Sequence, residues 1–224
     1  MRRLLLGLCM VAATAVRATA APAPLHNGDL VFQESTSSQS SAILAATGST
    51  ITHMGVIVVD EGVLEPFVVE ASARVRKIPL GQWLKQGKGR RYAMYRPKDL
   101  SAADGLRVKE AVLGYLGRPY DIFFRFGDDH IYCSEWAVLA FRKIGIELGH
   151  VQTIETLNAS APQVRRLFAK RWKQHPDCRR AGSANDCWQI VLHQPLVTPA
   201  SIANDKRLTM LVSWPPDFVQ GMRP

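Results

Sequence analysis

One stretch of six residues, 54–59, constrains the fold more than any other part of the chain, because it contains no polar side chain. Val and Ile dominate it, and such β-branched residues are typical of strands. It lacks the alternation of a half-exposed strand, so it predicts a strand near the centre of a sheet. Asp-Glu-Gly at 60–62 supplies a turn, and residues 67–71 are expected to return as the antiparallel partner.

The other elements mix helices with short strands. Ser101 opens an expected helix to about residue 116, with Asp104 in its first turn. A second helix is expected over residues 133–144, and Gly145 ends it. Further strands are expected at residues 30–32, 75–78, 92–96 and 188–193, and further helices at 42–46, at 162–173 and from Pro199.

The first residues predict an export signal. Arg2 and Arg3 form a basic start, residues 4–16 are apolar, and Ala-Thr-Ala at 18–20 has the form of a cleavage site. We therefore expect residues 1–20 to be a secretory signal peptide. The mature protein would then be secreted or periplasmic.

Two alternatives for this segment remain less favoured. Thirteen apolar residues are too few for a transmembrane anchor, which needs about 20. A lipid on Cys9 is disfavoured by the bulky Leu8 before it. After the signal we expect a single domain over residues 21–224, in which 149–224 form a C-terminal elaboration.

Cysteine usage sets one residue apart. Of the four cysteines, Cys9 would leave with the signal. Cys178 and Cys187 flank a polar loop and are natural disulfide partners in an oxidising compartment, which leaves Cys133 as a free thiol. The alternative is a zinc site, which the wide cysteine spacing disfavours. Its ligands would be His175, Cys178, Cys187 and His193. We expect no metal and no cofactor.

The chain is basic, with a net charge of +9. Loss of Arg2, Arg3 and Arg17 with the signal removes three charges and leaves +6. Export argues against nucleic acid as a partner, and an anionic lipid surface or cell-wall polymer fits the charge better. One predicted helix concentrates basic residues and is either a solvated face or an anion site, and these residues are Arg165, Arg166, Lys170, Arg171 and Lys173.

Three local patterns contain the side chains of a thiol hydrolase. His53 precedes the central strand, Glu70 lies near the end of its partner strand, and Cys133 begins an apolar helix. A helix start and a nearby imidazolium both stabilise a thiolate, and the helix start also offers N–H groups to an oxyanion. His53 can then serve as base, oriented by Glu70. Each residue alone has an ordinary structural explanation, and Glu135 and His130 are alternative supporting residues.

Longer strings around these residues resemble a known family. The strings are His-Met-Gly-Val at 53–56, Glu-Ala at 70–71, Gly-Arg-Pro-Tyr-Asp at 117–121, Tyr-Cys-Ser-Glu at 132–135, and Val-Thr-Pro-Ala-Ser-Ile at 197–202, followed by Asp205 and Leu208. Together they are similar to the YiiX/YebB-like branch of the NlpC/P60 superfamily. The order His, acid, Cys is the permuted order of that branch, whereas papain runs Cys, then His. Trp136 departs from the pattern, in which leucine is expected.

The resemblance implies an α+β, papain-like fold, circularly permuted as in NlpC/P60 proteins, with an antiparallel sheet packed against the cysteine helix. It implies a site of Cys133, His53 and Glu70 in a hydrolase or acyl transferase that cleaves an amide or ester bond. The substrate would be a cell-wall peptide or a lipid-linked group, and the Ser-rich segment 35–41 and Trp83 could border its groove. The rival interpretation is an envelope module that binds lipid or peptide on the same fold without turnover.

Overall fold

A computed structural model describes residues 24–127 and 129–219, so the predicted signal peptide lies outside the described residues. The strands are β1 (Leu30–Gln33), β2 (His53–Val58), β3 (Phe67–Ala71), β4 (Val75–Pro79), β5 (Tyr92–Pro97), β6 (Gln152–Thr153), β7 (Pro195–Leu196) and β8 (Leu208–Trp214). Six of them form one sheet in the order β4-β3-β2-β1-β5-β8, and every neighbouring pair is antiparallel. β6 and β7 form a separate small ladder.

Helices cover both faces of this sheet and extend beyond it. They are α1 (Ser40–Thr47), α2 (Leu80–Gln86), α3 (Ala102–Leu113), α4 (Cys133–Arg142), α5 (Pro162–Arg171), α6 (Ala184–Leu192) and α7 (Pro199–Ala203). Short 3₁₀ turns occur at Lys88–Arg90, Ile154–Thr156, Trp172–Gln174 and Pro176–Cys178. The architecture is α+β, with an antiparallel sheet packed against the cysteine helix α4, as the resemblance implies.

β2 is covered on both faces, which explains its run without polar side chains. It lies between β1 and β3. On one face, Met54 and Val56 pack in the main core, to which α4 contributes Trp136. On the other face, Ile57 packs with Trp83 of α2 in a smaller cluster. The sequence departure at Trp136 is thus a fully buried core contact.

Gly55 allows β2 and β3 to lie close together. A Cβ atom at this position would lie 2.3 Å from Val68 Cγ1 and 2.9 Å from Val69 O. Either distance is too short for a side chain to be accommodated without movement. The glycine two residues after His53 therefore serves the pairing of the strands that hold His53 and Glu70.

The strand expected at residues 188–193 is wrong, because this segment belongs to α6. Ser183 caps the helix, and its side-chain oxygen accepts a hydrogen bond from Asp186 N. Trp188 and Val191 lie on one buried side, at helical spacing. The short apolar run imitates a strand in composition, but the capping serine before it favours a helix.

β8 was not expected, because its sequence has no strand periodicity. Leu208 is buried, whereas Thr209 and Met210 are both exposed. The strand is held at the sheet edge by its antiparallel pairing with β5. Backbone pairing, which composition does not encode, therefore defines this element.

The helix starts predicted at 101, 133, 162 and 199 agree with the structure within one residue, whereas α1 begins two residues earlier than predicted. The ends of α3, α4 and α5 fall two or three residues before the predicted ones. The side chain of Ser101 accepts a hydrogen bond from Asp104 N at the start of α3. α3 ends at Leu113, and a turn rather than helix covers the next residues. Gly145, with φ of 83°, follows α4 in the left-handed region that glycine tolerates. Within the described ranges, no helix is long and apolar enough to cross a bilayer.

Candidate active site

Cys133 is the first residue of α4 and has 2% of its surface exposed. It is the free cysteine within the described residues. The first N–H groups of a helix have no partner inside the helix, and they bear a partial positive charge. The start of α4 is therefore suited to a thiolate or an oxyanion.

Glu135 anchors the start of α4. Its Oε1 accepts a hydrogen bond from Gly127 N at 2.7 Å, and its Oε2 accepts one from Tyr132 N at 3.3 Å. The residue is fully buried. These contacts are those of a capping-box glutamate, and they direct the carboxylate to the loop before the helix.

His53 joins the strand side of the site to the thiol. It is the first residue of β2, the strand that contacts α4. Its Nε2 lies 2.5 Å from Glu70 Oε2, and its ring is near enough to the Cys133 side chain for the two groups to interact electrostatically. The structure thus brings together the three residues that the sequence analysis selected, Cys133, His53 and Glu70.

Glu70 is 1% exposed and accepts hydrogen bonds from three side chains. Besides His53, Trp83 Nε1 donates to Oε2 at 2.9 Å, and Arg76 donates to Oε1 from Nε at 2.8 Å and from Nη2 at 2.5 Å. The Trp83 ring also stacks near the imidazole, with centroids 6.0 Å apart. Hydrogen bonds at both oxygens hold the Glu70 carboxylate in place, and the carboxylate in turn orients the His53 imidazole.

The surroundings favour the charged forms of His53 and Glu70. Burial alone would lower the pKa of His53, but hydrogen bonds and charges from Cys133 and Glu70 outweigh it and raise the pKa to about 10. Burial alone would raise the pKa of Glu70, but His53 and Arg76 outweigh it and lower the pKa to about 2. An imidazolium paired with a carboxylate therefore stands beside the thiol across most of the pH range.

Tyr120 is a further neighbour of Cys133, with a role that the sequence analysis did not assign. Its hydroxyl is near enough to the Cys133 side chain to interact with it, and it accepts a hydrogen bond from Gln39 Nε2 at 2.8 Å. Arg171 Nη2 in turn donates to Gln39 Oε1 at 3.2 Å. Burial and the nearby negative charge of Cys133 raise the pKa of Tyr120 well above its usual value, so the phenol keeps its proton.

Partial sequence signals existed for these neighbours. Tyr120 belongs to the Gly-Arg-Pro-Tyr-Asp string, and a backbone bridge with Ile131 draws it toward α4. Gln39 lies in the Ser-rich segment 35–41. Arg76 is directly opposite Glu70 in the β3–β4 register. His130, in contrast, is exposed in the loop before Ile131.

The two remaining described cysteines are bonded to each other, as predicted. Cys178 and Cys187 form a disulfide with Cα atoms 5.1 Å apart. This bond removes the sulfur ligands of the alternative zinc site. Each of the two histidines of that alternative has another partner. His175 Nε2 lies 3.1 Å from Gln194 Oε1, and His193 pairs with Glu155 at the surface.

The basic residues of α5 and the turn after it divide into two groups. Arg166, Lys170 and Lys173 are exposed. Arg165 lies over the ring of Trp188, with its guanidinium 4.1 Å from the centroid. Arg171 turns inward, where its Nη1 donates to Ile122 O at 2.6 Å.

An antiparallel sheet that presents a histidine and an acid to a cysteine at a helix start, in that chain order, defines the class of permuted papain-like proteins. Comparison with family models agrees. The chain belongs to the family described as permuted papain-like amidase enzyme, YaeF/YiiX, C92 family, whose model matches residues 24–212. The predictions of a YiiX-like branch and of a permuted papain-like α+β fold are confirmed, and the family is one of hydrolases.

Two relatives are similar over most of their length. The uncharacterized protein YiiX of Escherichia coli strain K12 is 32% identical over 194 residues, which cover 85% of this chain and 88% of that protein. A crystal structure described as metalloprotein YiiX from Escherichia coli O157:H7, DUF1105, has a TM-score of 0.73 and 30% identity. That match covers 84% of this chain and 97% of the other.

That second relative is described as a metalloprotein. Across residues 24–127 and 129–219, no three side chains of the types His, Cys, Asp or Glu are grouped to hold a metal ion. The described residues do not fit a metal centre, and we derive no step through one.

Proposed function

We propose that this protein is an exported thiol hydrolase that cleaves an amide or ester bond through Cys133, His53 and Glu70. One observation carries the proposal: a series of interacting side chains runs from Glu70 through His53, its hydrogen-bond partner, to Cys133 at the start of α4. This series is the arrangement that nucleophilic catalysis by cysteine requires, with a base next to the nucleophile and a third group that orients the base.

In the first half of the reaction, Cys133 attacks the carbonyl carbon as a thiolate paired with the His53 imidazolium, and a carbon–sulfur bond forms. The oxyanion is stabilised by backbone N–H groups at the start of α4 and by the Tyr120 hydroxyl, which keeps its proton and accepts a hydrogen bond from Gln39 Nε2. His53 gives its proton to the leaving amine or alcohol as the carbon–nitrogen or carbon–oxygen bond breaks.

In the second half, water hydrolyses the thioester. His53, now neutral, takes a proton from the water as it attacks the same carbonyl carbon. The carbon–sulfur bond breaks, the acid product leaves, and the original proton inventory returns. An acyl transferase would differ only in the acceptor, because an alcohol or amine would replace the water.

Intact-mass analysis with an activated acyl probe tests this proposal. The mature protein, with its disulfide kept oxidised, should gain one acyl mass, and Cys133→Ala should gain none. His53→Ala should acylate much more slowly at the same pH. A folded wild-type protein that stays unmodified would contradict the hydrolase and leave the rival interpretation, a binding module for envelope lipid or peptide.

Location and partners belong to the same proposal. The basic start, apolar stretch and small-residue site within residues 1–20 support export to a secreted or periplasmic location. The basic charge of the remaining chain supports association with an anionic surface or polymer of the envelope. The substrate is then expected among envelope peptides or lipids, and no nucleic acid partner is proposed.

A further inference from the structure

The guanidinium of Arg171 reaches the surroundings of Tyr120 from the C-terminal part of the chain. Arg171 is the last residue of α5, which packs against α1. Its Nη2 donates a hydrogen bond to Oε1 of Gln39, the residue before α1, at 3.2 Å. Its Nη1 donates to Ile122 O at 2.6 Å, two residues after Tyr120. One side chain thus holds both the amide that contacts Tyr120 and the loop that follows it.

Arg171 determines which end of the Gln39 amide faces Tyr120. A guanidinium has N–H donors and no acceptor, so the amide atom beside it has to be the carbonyl oxygen. The NH2 group then faces the phenol, and Gln39 Nε2 donates to the Tyr120 hydroxyl oxygen at 2.8 Å. The NH2 group of an amide donates hydrogen bonds and does not accept them. In this arrangement Gln39 therefore cannot take the phenol proton.

The position of Tyr120 makes Cys133 the neighbour that can use this proton. The backbone of Tyr120 forms a bridge with that of Ile131, two residues before Cys133, and its hydroxyl is near enough to the Cys133 side chain to interact with it. Burial and the negative charge of Cys133 raise the pKa of Tyr120, so the hydroxyl remains a donor. With the amide reversed, Gln39 Oε1 would accept the phenol proton and draw it away from Cys133.

We infer that Arg171, acting through Gln39, is a positioning residue that keeps the Tyr120 hydroxyl proton directed at the Cys133 thiolate and at the oxyanion that forms beside it. The inference rests on the proposed function and makes α5, in the C-terminal elaboration, contribute to the reaction. Neither Arg171 nor Gln39 takes part in a covalent step. They act by fixing the direction of one hydrogen bond.

The variant Gln39→Glu reverses this hydrogen bond with little change of shape. A carboxylate has acceptor atoms alone, so it would keep Arg171 as its partner and accept the Tyr120 proton. Loss of one oxyanion donor costs on the order of 10²–10³ in kcat. With 4-nitrophenyl acetate, we expect Gln39→Glu to lower the Cys133-dependent kcat by about 100-fold at nearly the same KM. The control Gln189→Glu, at an exposed position of α6, should keep the wild-type kcat.

Substitutions of Arg171 test the other end of the amide. Arg171→Met allows the Gln39 amide to turn, so kcat should fall by about tenfold, the effect of one hydrogen bond. Arg171→Lys keeps a donor without an acceptor beside Gln39 Oε1 and should recover most of that loss. Arg180→Met removes the same charge from an exposed position and should leave kcat unchanged. Circular dichroism and the Tm of each variant check that it is folded.

The Tyr120→Phe background separates this positioning role from a structural one. Without the phenol proton, Gln39→Glu and Arg171→Met should reduce kcat little beyond the effect of Tyr120→Phe itself, because all three act through one hydrogen bond. Full additional losses in that background, or a wild-type kcat in Gln39→Glu, would overturn the inference and leave the hydrolase standing.

Alkylation of Cys133 by iodoacetamide gives a measurement that does not depend on turnover. A thiolate that loses the Tyr120 proton is less stabilised, so the pH profile of alkylation should move upward in Gln39→Glu, and by less when Tyr120→Phe is added. That result in a protein with no Cys133-dependent turnover would support the positioning role and reject the hydrolase. An equal shift with and without the Tyr120 hydroxyl would show that the added charge alone acts, and would overturn the inference.

Discussion

Two cationic side chains balance the buried carboxylate of Glu70, one at each oxygen. His53 meets Oε2 and Arg76 meets Oε1. A charge removed from water is tolerated when it is paired and hydrogen-bonded, and removal of one partner is then costly. Arg76, through Glu70, therefore helps to hold the imidazole that faces Cys133.

The imidazolium of His53 should increase the reactivity of Cys133 toward alkylating reagents. Because the pKa of His53 is raised to about 10, the ring is protonated at pH 6 and stabilises a thiolate at the neighbouring sulfur. We expect iodoacetamide to alkylate Cys133 at pH 6 far faster than a model thiol with a pKa near 8.5, and His53→Ala to remove most of that advantage. Cys133→Ala should keep a Tm near that of the wild type. An alkylation rate equal to that of the model thiol would contradict the proposal that His53 activates the thiol of Cys133.

Glu70 should give the protein an acid-sensitive stability. Its pKa is 4.5 in ordinary surroundings and about 2 here, so its contribution is complete above about pH 5 and is lost as the pH falls toward 2. That contribution is on the order of 3 kcal/mol. Urea unfolding at several pH values should show this loss in the wild type and a flatter profile in Glu70→Gln. Glu110→Gln, at an exposed position of α3, serves as the control and should follow the wild type.

The same variants test the assigned roles. Glu70→Gln disturbs the orientation of His53 without removing the base, so it should reduce turnover less than His53→Ala does. Glu135→Gln should act through the start of α4, and His130→Ala should have little effect. A silent Glu70→Gln together with a crippling His130→Ala would show that the supporting residues are misassigned.

At the scale of elements, sequence reasoning succeeded where one element carries its own signal. Continuous apolar composition identified β2, because both of its faces are buried. A capping serine and an acidic first turn identified α3. It failed for β8, whose position depends on pairing with β5, and for α6, whose apolar run was taken for a strand.

The candidate site follows the same division. Cys133, His53 and Glu70 sit at element boundaries with recognisable local patterns, so sequence alone could select them. Tyr120 reaches the neighbourhood of the thiol, and Gln39 reaches Tyr120, through loops whose paths depend on the folded chain. Arg76 was within reach of prediction, because strands expected at residues 67–71 and 75–78, joined by a short turn, place it opposite Glu70.

The disulfide should stabilise the packing of α6 against α5 and the turn that follows it. Cys178 and Cys187 lie in a buried cluster with Val191, against which Phe168 packs. Their loop has a sequence separation of 9, for which the chain-entropy model gives about 2–3 kcal/mol. Cys178→Ser with Cys187→Ser should lower the free energy of unfolding by about that amount.

Peptide mapping and calorimetry check the disulfide prediction together. Non-reducing mapping of exported protein should recover the Cys178–Cys187 peptide pair, and reductant should lower the Tm of the wild type but not of the double serine variant. Recovery of two free thiols from folded, exported material would contradict it.

At the scale of the whole molecule, the excess of basic residues gives the protein a long-range attraction for anions. The chain carries a net charge of +9, and its exposed residues Arg166, Lys170 and Lys173 lie on or just after α5. Exposed charges add little to stability. They act instead over about a Debye length, ~8 Å at physiological salt.

Association with anionic vesicles should therefore weaken as salt rises. Reversal of Arg166, Lys170 and Lys173 to Glu should weaken it further, while turnover of 4-nitrophenyl acetate stays at the wild-type level. The matched control reverses three exposed lysines elsewhere, Lys85, Lys98 and Lys206, and has the same net charge. Equal loss in both triple variants would mean that total charge, and not this helix, determines binding; unchanged binding would reduce α5 to a solvated face.

The hydrogen-bonded group around Glu70 has a further meaning for how such folds can be rearranged. His53, Glu70, Arg76 and Trp83 are near one another in the chain, in β2, β3, β4 and α2, whereas Cys133 arrives on a separate helix. The base His53 and the residues that hold it thus come from one continuous segment of the chain, and the nucleophile comes from another. The geometry of the site depends on how these two segments pack and not on which comes first in the chain. Joining the original termini and opening the chain between the two segments would therefore preserve the site.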